Sequence, residues 1–584
     1  MSAPLASSQP SRLADAWMLW AASLVVTLIV GVQFLRHDQA MLRTLGDTDD
    51  AMRLVRVRTL LAGQGWWDQW IGRLQPPQGT IMHWSRLLDG GLAATVRAVE
   101  VVLPPDRAEL WTRTFWPLAW ILPAAAASLS IAHRIAGRAG LFAGALVLVA
   151  DPWAFIQFQP GRIDHHNVQI ALTLAAAALA LGAERGAWRG AAAGFASALC
   201  LAIGIEALAF HAFIGAGLAV GLVLGDRRAP AARAYGFSLA GGAFGLFLIQ
   251  TPPSRWPVSA CDALGANLVA GLVAAGLGLG LVSLMKVGAR TRLLGVAVAG
   301  LVTAIVYLAL DPACIHGPMA AVDPRLRPFW FDRIEELQPW TILIRTDPAA
   351  AVRVLCIAAS TALAAAILVW RKRLDLGLAT LLACAGLAVA ATLAVLRQED
   401  YAFAFGLPLV AAAAASLTSG RNPLLLATVS LALSPAASMA AAERLWPVRA
   451  SPSPNERCYE VAAYQRLAAQ PEGLVLADIN LGPFILAQTP HSALAAPYHR
   501  MTWGVLAAHY ALGAPPGEAE AQVRALGVRY IVECGALIRV GPGSFETTLR
   551  RGPPPPWLRP LSEPGEALQI YAVEPLAQHP PKER

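Results

Sequence analysis

The stretch Leu141–Leu181, LFAGALVLVADPWAFIQFQPGRIDHHNVQIALTLAAAALAL, decides the fold. Two apolar runs, about 139–155 and 168–183, flank a short polar turn, Gly161 to Asn167. A bilayer is crossed by about 20 consecutive apolar residues in a helix, so acids and imidazoles between two such runs sit at a membrane edge. The alternation continues in both directions. Further runs lie at Trp17 to Leu35 and near 115–132, 190–204, 207–225, 236–251, 264–285, 293–310, 350–370, 375–396, 402–417 and 423–440. The count is about thirteen spans by the 20-residue criterion. Of the 584 residues 56% are hydrophobic and 14% charged, and the mean hydropathy is +0.50. Ordinary soluble domains carry roughly 25% charged residues. These figures exclude a purely soluble enzyme and a nucleic-acid-binding chain, despite the net charge of +8.

The positive charge is a topology signal. Short loops after every second run carry Arg134 and Arg138, Arg185 and Arg189, Arg227, Arg228 and Arg233, Lys286, Arg290 and Arg292, Arg371, Lys372 and Arg373, and Arg421. By the positive-inside rule these loops, and the N-terminus, face the cytoplasm. The first run is too long for a cleaved signal peptide. Residues 1–440 then form a transmembrane domain with long outer loops at 36–112 and 311–349, and 441–584 an outer, periplasmic domain. In the latter, Gly473 to Ala477 and Val528 to Glu533 read as strands and Glu518 to Leu526 as a helix, an α/β pattern. Beyond Gly541 the chain is Pro-rich, and Pro553 to Pro556 suits neither helix nor inner strand. Trp66, Trp67, Trp70 and Trp84 of the first loop read as interfacial anchors. Cys261 with Cys314 and Cys458 with Cys534 are candidate disulfides, since all four fall outside the apolar runs and an outer compartment is oxidising.

Three acidic clusters lie in outer loops near a membrane edge: Asp47-Thr48-Asp49-Asp50 ahead of Arg53, Arg56 and Arg58; Asp164-His165-His166; and Asp332-Arg333-Ile334-Glu335-Glu336. Each alone is equally a solvated loop. Together, carboxylates with a neutral imidazole suit a divalent cation, Mg²⁺ or Mn²⁺, and nearby arginines suit a phosphate held bidentately. Such a site stabilises a departing phosphate. Glu206 with His211 one turn on is a further ionisable pair at the outer edge.

These residues carry a family resemblance. The run layout, long first loop and outer C-terminal domain resemble the catalytic subunit of oligosaccharyltransferases, in particular the single-subunit bacterial and archaeal enzymes of the GT-C glycosyltransferase class. Asp50-Ala51-Met52-Arg53-Leu54-Val55-Arg56 is similar to the family's first-loop pattern at its two ends, and Asp164-His165-His166 to the Asp-His-His form of its second motif. Ile334-Glu335-Glu336 resembles its fifth-loop element, and Arg397 ahead of Tyr401-Ala402 its lipid-phosphate element. The resemblance implies catalytic roles for Asp50, Asp164 and Glu336, a metal held by Asp50, Asp164 and His166, and donor phosphate on Arg397. Arg56 is a second candidate for that phosphate, and His165, Asp49, Glu335 and Tyr401 are accessory positions. It also implies a polyprenyl-linked sugar donor and inversion at the anomeric carbon.

One departure bears on the acceptor. Where family members that glycosylate proteins carry Trp-Trp-Asp, the chain has Leu476-Ala477-Asp478-Ile479-Asn480-Leu481-Gly482; Trp66-Trp67-Asp68 has the letters in the wrong place. The expectation is therefore a metal-dependent inner-membrane glycosyltransferase acting from a polyprenyl-(pyro)phosphate donor on an acceptor other than an N-x-S/T sequon, whether lipid, polysaccharide or protein. The alternatives are a polyprenyl-monophosphate-sugar transferase modifying a lipid or polysaccharide, a metal-independent ligase or polymerase, and a transporter or flippase. The last predicts ionisable groups at the bilayer midplane and matched halves.

Overall fold

The computed structural model describes residues 10–37, 40–225, 227–320, 322–419, 422–445, 456–534, 541 and 543–575. Arg421 lies outside them. Eight helices among the described residues are long and apolar enough to cross a bilayer, and the pair Pro423–Leu433 and Pro435–Leu445, bent by 58°, would be a ninth. Pro105–Ala150 has 46 residues and contains two of the apolar runs, divided where Ala136 and Gly137 leave helical geometry. Three more runs appear as the shorter helices His166–Leu181, Ala187–Ile203 and Leu208–Val223. Every apolar run is thus helical, and the chain is a polytopic helical membrane protein.

The packing explains the abundance of Ala and Gly. Ala187–Ile203 lies along Ala229–Gln250, and a Cβ at Gly190 would meet the carbonyl of Ala231. In lipid no hydrophobic drive joins two helices, so close backbone approach at small residues supplies the attraction.

The C-terminal part holds a five-stranded sheet. With β1 (Trp70–Ile71) and β2 (Thr80–Ile81) forming a hairpin in the first loop, the sheet consists of β3 (Leu474–Ala477), β4 (Ser492–Ala493), β5 (Val528–Glu533), β6 (Leu558–Pro560) and β7 (Gln569–Val573), in spatial order β4-β3-β5-β7-β6. β3 runs parallel to β4 and β5, and β7 antiparallel to β5 and β6. The Pro-rich end therefore supplies two strands that the sequence reading had not placed. Pro560 is tolerated because β6 is an edge.

The first loop and the C-terminal part share one apolar core, with Met52, Leu54, Trp84 and Leu88 packed in the same cluster as Phe484, Leu494 and Val505. Arg73 reinforces the joint by donating to the carbonyls of Leu486, Thr489 and His491 at 2.7 to 3.2 Å. Tyr498 Oη donates to Thr48 O at 3.0 Å. Trp84 is buried and packs edge-on against Tyr498, so it is a core residue and not an interfacial anchor. Cys261 is joined to Cys314 and Cys458 to Cys534.

Candidate active site

Helix Thr48–Leu61 starts at a capping box. Asp47 accepts from the backbone of Asp49 and Asp50 at 2.9 and 3.1 Å, and Asp50 Oδ2 accepts from Asp47 N at 3.1 Å. This reciprocal pattern satisfies N–H groups that a helix start leaves open. Asp50 also faces inward. Its Oδ1 accepts from the backbone of Ile163 and Asp164 at 2.7 and 2.9 Å, and its Oδ2 from Arg162 at 3.2 Å. Fully buried and committed to four donors, Asp50 is the pin that holds the 161–166 turn against the first loop. Its neighbour Asp49 lines the cavity. Burial and the Asp47 carboxylate push the Asp49 carboxyl up to about 7, with Arg397 opposing and Asp164 and Glu336 adding to the rise.

The 161–166 turn presents Asp164 and His166 to the same space. Asp164 Oδ1 accepts from His166 N at 3.1 Å, while Oδ2 is buried without a hydrogen-bond partner, 3.4 Å from His166 Nε2. Burial opposes ionisation of Asp164, but His166, Arg162 and His165 outweigh it and hold the carboxyl well below the usual range. Arg397 Nη2 sits 2.9 Å from His166 Nε2. A guanidinium only donates, so Nε2 carries its lone pair and the ring is neutral. The lone pair lies beside the free oxygen of Asp164. An orphaned carboxylate oxygen beside an imidazole, with a second acid, Asp49, lining the same cavity, is the donor chemistry a divalent cation takes, although the ligating atoms of Asp49, Asp164 and His166 do not all lie within 4.8 Å of one another.

Arg397 bridges the set. Its Nη1 donates to Glu336 Oε1 at 2.6 Å, and Gln338 O accepts from Leu396 N at 3.1 Å, so the 335–338 segment is fastened beside it. Glu335 and Asp400 line the same cavity, Asp400 accepting from Gln157 at 3.0 Å. His165 turns away to Glu206 at 3.0 Å. Burial disfavours both charges, yet the pair raises the His165 pKa and holds Glu206 well below the usual range. Gln169 also donates to Glu206 at 3.0 Å. The expected Glu206–His211 pair is absent: His211 bonds Ser197 and Thr173 instead.

The remaining expectations divide. Arg56 is buried away from the cavity, its Nη2 2.7 Å from Asp89, which also meets Arg53 at 2.8 Å and Arg86 at 3.2 Å. One carboxylate holding three guanidiniums inside the first-loop core is structural, so Arg56 is not placed to meet a phosphate. Tyr401 is likewise buried, stacked on Phe210 at 4.7 Å. The cavity itself measures about 1600 Å³, and Asp478, Ile479 and Asn480, at the end of β3, form part of its C-terminal wall. Of the lining residues, the sequence reading passed over His83 and Asp262 altogether.

No family model and no curated protein matches the sequence. Solved structures do. The apo oligosaccharyltransferase of Archaeoglobus fulgidus matches with a TM-score of 0.66 at 14% identity, covering 89% of this chain and 70% of that one. The chain has the oligosaccharyltransferase fold, that of a GT-C membrane protein with an outer domain. The same archaeal enzyme, AglB, in complex with an inhibitory peptide and a dolichol-phosphate matches with a TM-score of 0.62 over 88% of this chain and 69% of that one, also at 14% identity. Its complex with Zn and sulfate gives 0.58 at 14% identity, over 88% and 67%.

Proposed function

We propose that the chain is a glycosyltransferase of the bacterial inner membrane that uses a polyprenyl-(pyro)phosphate sugar donor, with its N-terminus cytoplasmic and its C-terminal domain periplasmic. The observation that carries this reading is the convergence of Asp49, Asp164, His166, Arg397 and Glu336 from four separate segments on one wall of the cavity. The similar archaeal protein has been solved with dolichol-phosphate and with Zn and sulfate, which supports a lipid phosphate and a metal here. Asp49, Asp164 and His166 would hold Mg²⁺ or Mn²⁺, which when bound supplies positive charge to the departing phosphate. Arg397 would add a charge-assisted hydrogen bond to that phosphate, and Glu336 holds Arg397 in place. Asp50 acts one layer back by fixing the turn that carries Asp164. Inversion at the anomeric carbon is part of the proposal: the acceptor would attack from the side opposite the departing phosphate.

The acceptor is proposed not to be an N-x-S/T sequon. At the Asp478–Asn480 wall no Trp-Trp pair is present to read a peptide hydroxyl, and the volume accommodates a lipid or polysaccharide end. Loss of activity on adding EDTA, with recovery on Mg²⁺ or Mn²⁺, would support the metal. In cells carrying Asp164→Ala we expect the glycan to fall at least about 100-fold, the order lost when one electrostatic stabiliser is removed, with membrane insertion intact. Full transfer by that variant rules the assignment out. Comparing lipids, polysaccharides and glycoproteins from these cells with those from cells lacking the protein identifies the acceptor.

A further inference from the structure

A second cluster of metal-ligating side chains lies on the same cavity wall. His83 comes from the first loop, between β2 and helix Arg86–Val99; Asp262 from the segment joining Ala229–Gln250 to Ala266–Val282; and His499 from the C-terminal part, between β4 and helix Thr502–Gly513. One ligating atom of each lies within 4.8 Å of the other two. His499 Nε2 is 2.7 Å from Asp262 Oδ2, and Arg500 clasps the same carboxylate through Nε at 2.8 Å and Nη2 at 2.6 Å. The His83 ring stands 4.9 Å from that of His499, and its Nδ1 is buried without a hydrogen-bond partner. Burying a polar atom without a partner is costly, a cost that a cation bound there would offset.

We propose that His83, Asp262 and His499 form a second metal site, for a zinc-type divalent cation, that clamps the outer domain to the membrane half of the molecule. Two imidazoles and one carboxylate are a three-ligand set of the kind zinc takes with a fourth position open to water, and all three residues line the cavity. Two imidazole nitrogens favour zinc over the harder Mg²⁺. Arg500 lies behind Asp262, where outer-shell partners orient a ligating carboxylate. The neighbouring Cys261–Cys314 bridge fixes the loop that carries Asp262. On binding, the ion replaces the proton that His499 Nε2 shares with Asp262 Oδ2, and that proton is released to solvent. Because the three ligands come from segments far apart in sequence, occupancy ties first loop, membrane helices and outer domain at one point.

The test is metal binding, read apart from transfer. Detergent-purified full-length chain carrying Asp164→Ala, which disables the other proposed cation site, is titrated with Co²⁺. We expect one equivalent with visible d–d absorption, displaced by Zn²⁺, and a rise in the unfolding midpoint with Zn²⁺. Adding His83→Gln leaves the Asp262, His499 and Arg500 contacts in place and should weaken binding at least about tenfold and abolish the zinc-dependent rise. If the His83→Gln chain shows no cooperative metal-free transition, His499→Gln is read in the same way. Absence of the absorption in the Asp164→Ala chain, or unchanged binding after the histidine substitution, overturns the site. Neither outcome depends on whether the protein transfers a sugar.

Discussion

At the scale of single residues, adjacent side chains in the first loop do opposite jobs. Asp49 and Asp50 are consecutive, yet a helix start turns one into the cavity and the other into a pin for the facing turn. Asp49→Asn is therefore expected to reduce transfer at least about 100-fold while the purified protein unfolds as before. Arg56→Lys should do the reverse. A lysine cannot reproduce a guanidinium beside Asp89, and disturbing a buried charge cluster costs on the order of 3 kcal/mol, so the unfolding midpoint falls while donor affinity in the folded fraction is unchanged. A weaker donor affinity at full stability would return Arg56 to the phosphate. The motif's ends were legible in the sequence. Which acid faces out was not, because that depends on Ile163 and Asp164 arriving from 113 residues further along the chain.

At the scale of elements, the length of the apolar runs located the eight or nine helices long and apolar enough to cross a bilayer among the described residues, since length and hydropathy are local properties. β3, β5 and the intervening helix Pro516–Ala525 were equally local. The edge strand β6 and its neighbour β7 were hidden by the Pro-rich stretch before them, since a proline is tolerated in β6 only because that strand lies at an edge, and His83 with Asp262 by the lack of any spacing between loops that meet only in the folded chain. The outer domain also buries acids. Glu546, at the start of helix Phe545–Arg551, is 2% exposed, and burial pushes its carboxyl up to about 7, with Asp478 adding and Arg550, 3.3 Å away, opposing. A carboxyl with a raised folded pKa binds more protons folded than unfolded, so its stabilisation is complete below the unfolded value of about 4.3 and is lost as pH rises through 7. Heat denaturation followed from pH 5 to 8 should show the outer domain losing stability as the pH rises. Glu546→Gln should flatten that slope, and an unchanged slope assigns the pH dependence to other groups.

At the scale of the whole molecule, polar groups converge on the cavity between the bundle and the outer domain, while much of the apolar surface of the bundle is exposed. Helix Ala289–Leu310 is the extreme case: none of its 22 residues is buried. Leu301→Lys, near its centre, should cost about 3 kcal/mol of insertion, lowering the amount of protein recovered from membranes, whereas Leu301→Val should be silent. A helix without protein neighbours on most of its surface has only the bilayer to select its side chains, and hydrocarbon asks for oiliness without asking for shape. Such a helix is free to exchange one aliphatic residue for another over generations without compensating changes elsewhere. Exchanges of that kind leave the architecture intact, one physical reason why two chains can share a fold at 14% identity.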